Sequence, residues 1–334
     1  MCAPHAEGWD QVHGVPKGRM AWTTYERVLD GLVAGDCHFD HVILQWLGDP
    51  SLHPDLERMI GRAGERLAGR VGHVRIDTNG LTLTEPRLDR LLAFKARAVP
   101  LLVVFTLDAA TPATYRRVKG RDGLERARRH VRYLLAHRRG AGRIDVQVQF
   151  VVQPGNAHEA AAFLAYWRGW WRCHGPGGGH LEVLFKRLSV GGGGPGQAAA
   201  DALYERTLAD AGVDEAQDDG FSVGVWRARP WQADDAHTAR GPCPGAWLTP
   251  VVRHDGHLMM CCADLAGDLD LGSLVEHDFR TLWEGPKATA VRLGQLAGRF
   301  EGACAACGGV NWYGMPAEGP DATRRRAREL GLTP

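Results

Sequence analysis

No stretch of this 334-residue chain is apolar over the roughly 20 residues that crossing a bilayer requires. The first ten residues lack the basic and apolar regions of a secretory signal. Charge of one sign is missing too: 40 Lys and Arg face 39 Asp and Glu, a net charge of +1. The overall field therefore favours neither nucleic acid nor an anionic membrane. Among the basic residues lysine is scarce, and arginine supplies nearly all the positive charge. No G-x-G-x-x-G fingerprint follows a predicted strand, and the run Gly191–Gly196 lacks the Lys-Ser/Thr of a phosphate loop. Internal repeats are absent. Histidines are many, yet no pair has helical metal-ligand spacing beside a carboxylate. These absences lead us to expect a soluble cytoplasmic protein with no membrane and no nucleic-acid partner.

Cysteine is what the chain does have. Cys243, Cys261, Cys304 and Cys307 read Cys-x17-Cys-x42-Cys-x2-Cys, with Gly256 five residues before Cys261. Four thiolates suit either a tetrahedral zinc or a four-iron cluster, and spacing alone leaves both open. Eight cysteines with four at such spacing fit a reducing compartment better than a disulfide framework. Cys262 neighbours a proposed ligand and is expected to point away from it along a strand. Cys37 and Cys173 read as buried or free thiols.

Strand and helix alternate through the first two hundred residues, as in parallel βαβ units. Helices are predicted over Met20–Ala34, His53–Leu67, Pro86–Ala98, Leu124–His137 and Ala157–Trp171. Strands are predicted over His41–Leu47, Val71–Ile76, Leu101–Leu107, Ile144–Val152 and Leu181–Leu188. Glycines 191–196 read as a flexible break. Ala198–Ala211 reads as a helix, and Asp214–Ala236 as acidic and irregular. A cysteine-bearing module then runs from about Gly241 to Trp312. It holds a hairpin of Thr249–Arg253 and Leu258–Cys261 joined at His254-Asp255-Gly256, then one or two helices over Phe279–Leu296. Asp321–Leu330 reads as a basic helix.

Several strand ends carry motifs. Met1-Cys2-Ala3-Pro4-His5 and Pro16-Lys17-Gly18-Arg19-Met20 resemble the stretch that closes the C-x3-C-x2-C-x-H loop of radical S-adenosylmethionine (SAM) enzymes. Gly48-Asp49-Pro50 resembles that family's GEP segment, Thr78-Asn79-Gly80 its S/T-N-G strand end, and Thr106-Leu107-Asp108 its S-L-D segment. Each alone is a turn signal; together they are specific. Cys243, Cys261, Cys304 and Cys307 resemble the single-cluster pattern of the SPASM/Twitch extension, C-x9-15-G-x4-C followed by C-x2-C. The resemblance covers nearly the whole chain.

It implies an α/β fold, a partial (β/α)6 radical SAM barrel lacking its first strand, with a small C-terminal Twitch/SPASM domain. The alternative is an open doubly wound sheet. The expected domains are 1–190 for the barrel, 191–240 for a glycine-rich linker and irregular segment, 241–316 for the auxiliary domain and 317–334 for a basic tail. SAM and two [4Fe-4S] clusters are implied as cofactors. Cys2 would serve the SAM-binding cluster, whose other two cysteines are missing, so the chain as given is expected not to cleave SAM. The four C-terminal cysteines would close an auxiliary cluster acting as an electron relay. Gly48, Asp49, Pro50, Thr78, Asn79, Thr106 and Asp108 would contact SAM. Catalytic polar candidates are Lys186, Arg187, Arg227 and Arg229.

By resemblance, the implied activity is two-electron oxidation of a hydroxyl on an aminocyclitol or sugar, as in deoxy-scyllo-inosamine dehydrogenases. Flavodoxin or ferredoxin would donate electrons. Two alternatives stand beside it: a maturase acting on a ribosomal precursor peptide, and a non-catalytic iron–sulfur or zinc protein.

Overall fold

A computed structural model of the chain describes residues 18–93, 99–138, 143–174, 180–189, 194–218, 220–226, 242–305, 307 and 319–332. Helix α1 (Trp22–Ala34) comes first, then β1 (Phe39–Ile43), α2 (Leu56–Arg66) and β2 (Val71–Thr78). Next are α3 (Glu85–Ala93), β3 (Leu101–Thr106), α4 (Pro112–Lys119), α5 (Leu124–His137) and β4 (Ile144–Val152). Helix α6 (Ala160–His174), β5 (Leu181–Arg187), α7 (Gly194–Asp210), β6 (Ala216–Asp218) and β7 (Phe221–Val225) complete the large sheet. The remainder is α8 (Gly245–Leu248), β8 (Val251–Val252), β9 (His257–Met259), β10 (Asp270–Ser273), α9 (Phe279–Trp283), α10 (Pro286–Leu296) and α11 (Gly319–Glu329). Among the described residues no helix is long and apolar enough to cross a membrane.

Two compact units emerge. The first spans His38–Trp226; the second joins the segment up to Cys37, with α1, to the chain from Arg227 onward. Contacts thus group α1 with the cysteine-bearing unit, not with the sheet that follows it in sequence.

In the first unit, β1-β2-β3-β4-β5-β7 pair in that order, all parallel, and β6 caps the edge antiparallel to β7. Parallel crossovers are right-handed, so a strictly sequential order puts every connecting helix on one face. A doubly wound sheet needs a reversal of order, and none occurs here. The helix-covered face is apolar. Val103, Phe105, Val146, Val148, Phe150, Val183 and Phe185 are all 0% exposed. Phe163 of α6 packs 4.9 Å from Phe150, ring to ring. Each such side chain, fully buried, stabilises by roughly 1.5–3 kcal/mol.

Strand β7 lies inside the stretch that reads as irregular in sequence. Its Phe221, Val223 and Val225 are buried while Ser222 is half-buried, so the alternation is present, but glycines and acidic residues around it mask the signal. Register with Leu181–Phe185 of β5 decides the conformation. Helix α7 begins within the glycine run, at Gly194.

Local signals elsewhere hold. Thr111 caps α4 through its hydroxyl, Pro112 opens the helix, and Gly120 closes it at φ +71°. The residue that ties this helix down is Glu159, 6% exposed, at the start of α6. Its carboxylate accepts from the amides of Ala110 and Thr111 and from the Thr111 hydroxyl. Burial opposes its ionisation, but the hydrogen bonds from Thr111 and Ala110 outweigh that and hold the carboxyl below its ordinary value. A depressed folded-state pKa gives stability that is present above the unfolded value, ~4.3, and is lost as pH falls through the folded one. Glu159→Gln is expected to cost about 1–3 kcal/mol near neutrality in denaturant melts. The gap to wild type should narrow as pH falls below ~4; a gap independent of pH would contradict the assignment.

In the second unit, β8, β9 and β10 form an antiparallel sheet in the order β10-β9-β8. The expected hairpin forms, with Gly256 at φ +89° in its turn. A Cβ there would lie 2.8 Å from Cγ2 of Val275, so the turn requires glycine. The stretch Phe279–Leu296, read as one or two helices, forms two, α9 and α10, divided at Gly285-Pro286.

Candidate functional site

The first unit builds its polar groups at two places. One is the C-terminal ends of β1 and β2, where parallel α/β folds present ligand-binding loops. Asp49 sits in the turn after β1, and its Oδ1 accepts from the Ser51 amide at 3.0 Å and the Thr78 hydroxyl at 2.8 Å. Its Oδ2 accepts from the Asn79 amide at 2.9 Å. The Ser51 hydroxyl donates to Asp49 and meets Thr78 and Thr82. Arg87 of α3 clamps the same turn, donating to the carbonyls of Ser51 and His53 and pairing with buried Glu57. Asp49, Thr78 and Asn79 are thus brought together, with Pro50 buried beside them and Gly48 leaving open space. Sequence reading missed Ser51, Thr82 and Arg87. The run Ser51-Leu52-His53-Pro54 right after the motif was the available signal.

Protein donors already occupy most of the Asp49 acceptor sites, which makes Asp49 a clip between two strand ends. Thr106 joins them, with its hydroxyl 3.4 Å from the Thr78 carbonyl. Asp108 serves its own strand end. It has φ +58°, pairs with Lys119, accepts from the Val151 amide at 2.7 Å and offers its carbonyl to Asn156 at 2.9 Å.

The second place is the sheet face away from the helices. Alternation puts His41, His73, Arg75, Asp77, Thr106, Asp145, Gln147, Gln149, Glu182 and Lys186 there. Gln147 and Gln149 are 3% and 2% exposed. They form a ladder: Gln149 donates to Gln147 at 2.6 Å, and Gln147 donates to Glu182. Arg75 forks onto Asp77 at 2.6 and 2.7 Å. His41 and His73 stack with centroids 5.1 Å apart, and burial keeps both below the usual histidine range.

Lys186 on β5 feels the charges of Arg75 and Asp77 on β2, though two strands intervene. A sheet of parallel strands in sequential order, with its helices all on one face, curls as in a (β/α) barrel, and the uncovered face is the concave side. Burial, then Arg75, depresses the Lys186 ammonium pKa, against Asp77 and Asp108. Its neighbour Arg187 points the other way, bound by Nη1 to Asp201 at 2.8 and 2.9 Å and lying 4.1 Å from the Trp226 ring. The two adjacent candidates are thereby separated. Arg227, Arg229, Cys2 and His5 lie outside the described residues.

The second unit gathers Cys243, Cys261, Cys304 and Cys307 around one small pocket, completed by Ala246, Ala263, Asp264, Leu269, Gln295 and Ala303. The Ala263 amide donates to Cys261 Sγ at 3.4 Å and Gln295 Nε2 to Cys304 Sγ at 3.5 Å. Asp264, 1% exposed, builds the next loop by accepting from the amides of Gly267, Asp268 and Leu269. An all-thiol donor set with N–H groups aimed at its sulfurs fits an iron–sulfur cluster. Cys262 does not line this pocket, although strand alternation is not the cause. Strand β9 ends at Met259, and the adjacent Cys261 and Cys262 thiols influence each other, which lowers the pKa of Cys261 and raises that of Cys262.

Residues 243–308 match the family model of SPASM, the iron-sulfur cluster-binding domain. The cysteine-bearing segment is a SPASM domain. No curated protein matches the chain. Among solved structures, histidine-tagged anSMEcpe with bound AdoMet aligns at a TM-score of 0.54 and 14% identity, over 84% of this chain and 72% of that one. Native anSMEcpe with bound AdoMet and Kp18Cys peptide gives 0.51 at 14% identity, over 84% and 76%. BtrN in complex with AdoMet and 2-DOIA gives 0.41 at 15%, over 85% and 77%, too low a score to weigh. The chain has the radical SAM fold, with the SPASM domain following the partial barrel in sequence.

Anaerobic reconstitution is expected to give about four irons and four sulfides per SPASM domain, with broad absorption near ~400 nm from thiolate ligation. Cys304→Ala or Cys307→Ala should abolish both. Stoichiometric zinc without that absorption would refute the cluster.

Proposed function

We propose that this chain is a radical SAM oxidoreductase that oxidises a hydroxyl of an aminocyclitol or sugar by two electrons, in the cytoplasm, with flavodoxin or ferredoxin as electron donor. The observation that carries the reading is the concave face. A buried sheet face is normally apolar, because unpaired polar groups are costly there. This one holds carboxylates, carboxamides and a lysine in a row, the groups that recognise several hydroxyls and an amine at once. A polyol with an amino group fits that chemistry better than an apolar or aromatic ligand.

SAM, when bound at a radical SAM site, supplies a 5′-deoxyadenosyl radical able to take hydrogen from carbon. The family's SAM-binding cluster needs three thiolates; the sequence carries Cys2 for it, and the described residues do not complete the set. The chain's own residues support the rest. Asp49 fixes the β1 and β2 ends against each other, with Thr78 and Asn79 held at the rim where SAM would lie. Gln147, Gln149 and Glu182 orient the substrate's hydroxyls and amine. Lys186 makes no hydrogen bond or ion pair among the described residues. With its pKa depressed by burial, it is the group placed to accept the hydroxyl proton. The SPASM cluster supplies a one-electron acceptor when bound.

In an enzyme supplied with the full three-cysteine set, substrate deuterated at the carbinol carbon should pass deuterium to 5′-deoxyadenosine and yield a ketone. Deuterium arriving only from a peptide would replace this reading with a precursor-peptide maturase. Lys186→Met should slow ketone formation by about 10²-fold or more while SAM cleavage persists. Lys186→Arg, which keeps the charge but cannot release a proton, should not restore it. The wild-type rate should rise with pH through a value below the ordinary lysine range; a flat profile would remove Lys186 as the base.

A further inference from the structure

We propose that Gln295 is a positioning residue that raises the reduction potential of the cluster held by Cys243, Cys261, Cys304 and Cys307. The proposal rests on the thiol cavity and the SPASM match and is independent of the substrate reading. Gln295 lies in the last turn of α10 and is 1% exposed. Its Oε1 accepts two hydrogen bonds, from the Cys243 amide and the Trp247 indole N–H, each at 3.2 Å. Both partners can only donate, so they fix which end of the carboxamide is oxygen. Nε2 must then point the other way, where it donates to Cys304 Sγ at 3.5 Å. One side chain thus grips the backbone of one ligand and the sulfur of another.

The grip is itself supported. Trp247 is 3% exposed, and the Arg292 guanidinium lies 5.3 Å from its ring and 4.6 Å from that of Trp283. Arg292 also donates from Nη1 to the Trp283 carbonyl at 2.5 Å. One helical turn separates Arg292 from Gln295, so α10 delivers both to the same buried side. The residues that hold Trp247 still therefore also hold the carboxamide in its one orientation.

The electrostatic consequence has a definite sign. Reduction adds a negative charge that is shared with the thiolate sulfurs, and an N–H aimed at one of them stabilises the reduced form more than the oxidised form. In a buried cavity that difference is not screened by water. A cluster so tuned takes an electron more readily.

The test uses the full chain, reconstituted anaerobically and poised against redox dyes, with the reduced cluster read by electron paramagnetic resonance. Gln295→Met is nearly isosteric and removes the donor. At the wild-type midpoint its oxidised-to-reduced ratio should rise about ten-fold, equal to ~59 mV for one electron, with about four irons retained. An unchanged midpoint with an intact cluster overturns the proposal. A purely structural role would lower the melting temperature without moving the midpoint, which also overturns it. Should Gln295→Met fail to hold the cluster, wild type labelled with ¹⁵N in its glutamine side chains decides the matter. Pulsed resonance of the reduced cluster should then show weak coupling to one side-chain nitrogen, and its absence sinks the proposal.

Discussion

Sequential parallel pairing is the constraint on which the first unit depends. With β1-β2-β3-β4-β5-β7 in chain order, right-handed crossovers leave one sheet face covered by helices and the other covered by none of them. The covered face can be filled with Val, Ile and Phe, and it is. The other face closes only by curling, which brings groups on β2 within electrostatic reach of Lys186 on β5. A ladder of Gln147, Gln149 and Glu182 survives on that face because each member has a partner. Lys186 has none among the described residues, and such a half-buried amine is where a ligand or a proton is to be looked for.

The SPASM domain obeys a different rule. Its helices and strands are short, and much of its order comes from side chains tied to loops. Asp264 organises the turn after Cys261, Gly256 permits the hairpin, and Gln295 links Cys243 to Cys304. Such a domain surrounds its ligand set with polar contacts that orient the thiols, as metal centres generally require. The price is two buried polar groups, Asp264 and Arg292, each with a shifted pKa. Burial raises the carboxyl of Asp264, and it lowers Arg292 to about 10.

Much of this was legible in the sequence. Five strands and their helices follow from periodicity and turn residues, and the four cysteines announce the second unit. The motifs at Asp49, Thr78 and Asn79 were readable as strand ends, and the structure joins them directly through the Asp49 carboxylate, with Ser51 as a further partner. Strand β7 was hidden because its five residues alternate among glycines, so pairing with β5 had to supply the preference. Lys186 and Arg187 looked equivalent as neighbours; period-two alternation separates them only once the helix-covered side is known. Cys262 stays out of the thiol pocket as expected, but strand alternation is not the reason, since β9 ends at Met259. The concave ladder was half visible in Asp145, Gln147 and Gln149, but a polar face reads as solvent until the sheet is known to curl.

The central claim is that the concave face binds a polar amino-polyol. Equilibrium binding of deoxy-scyllo-inosamine by calorimetry tests it most directly, comparing Gln147→Leu/Gln149→Leu on the concave face with Arg187→Met on the helix side. The account predicts that the first loses binding by ten-fold or more while keeping its melting transition, and that the second binds as wild type. Equal binding by all three proteins, or loss only in Arg187→Met, would contradict it.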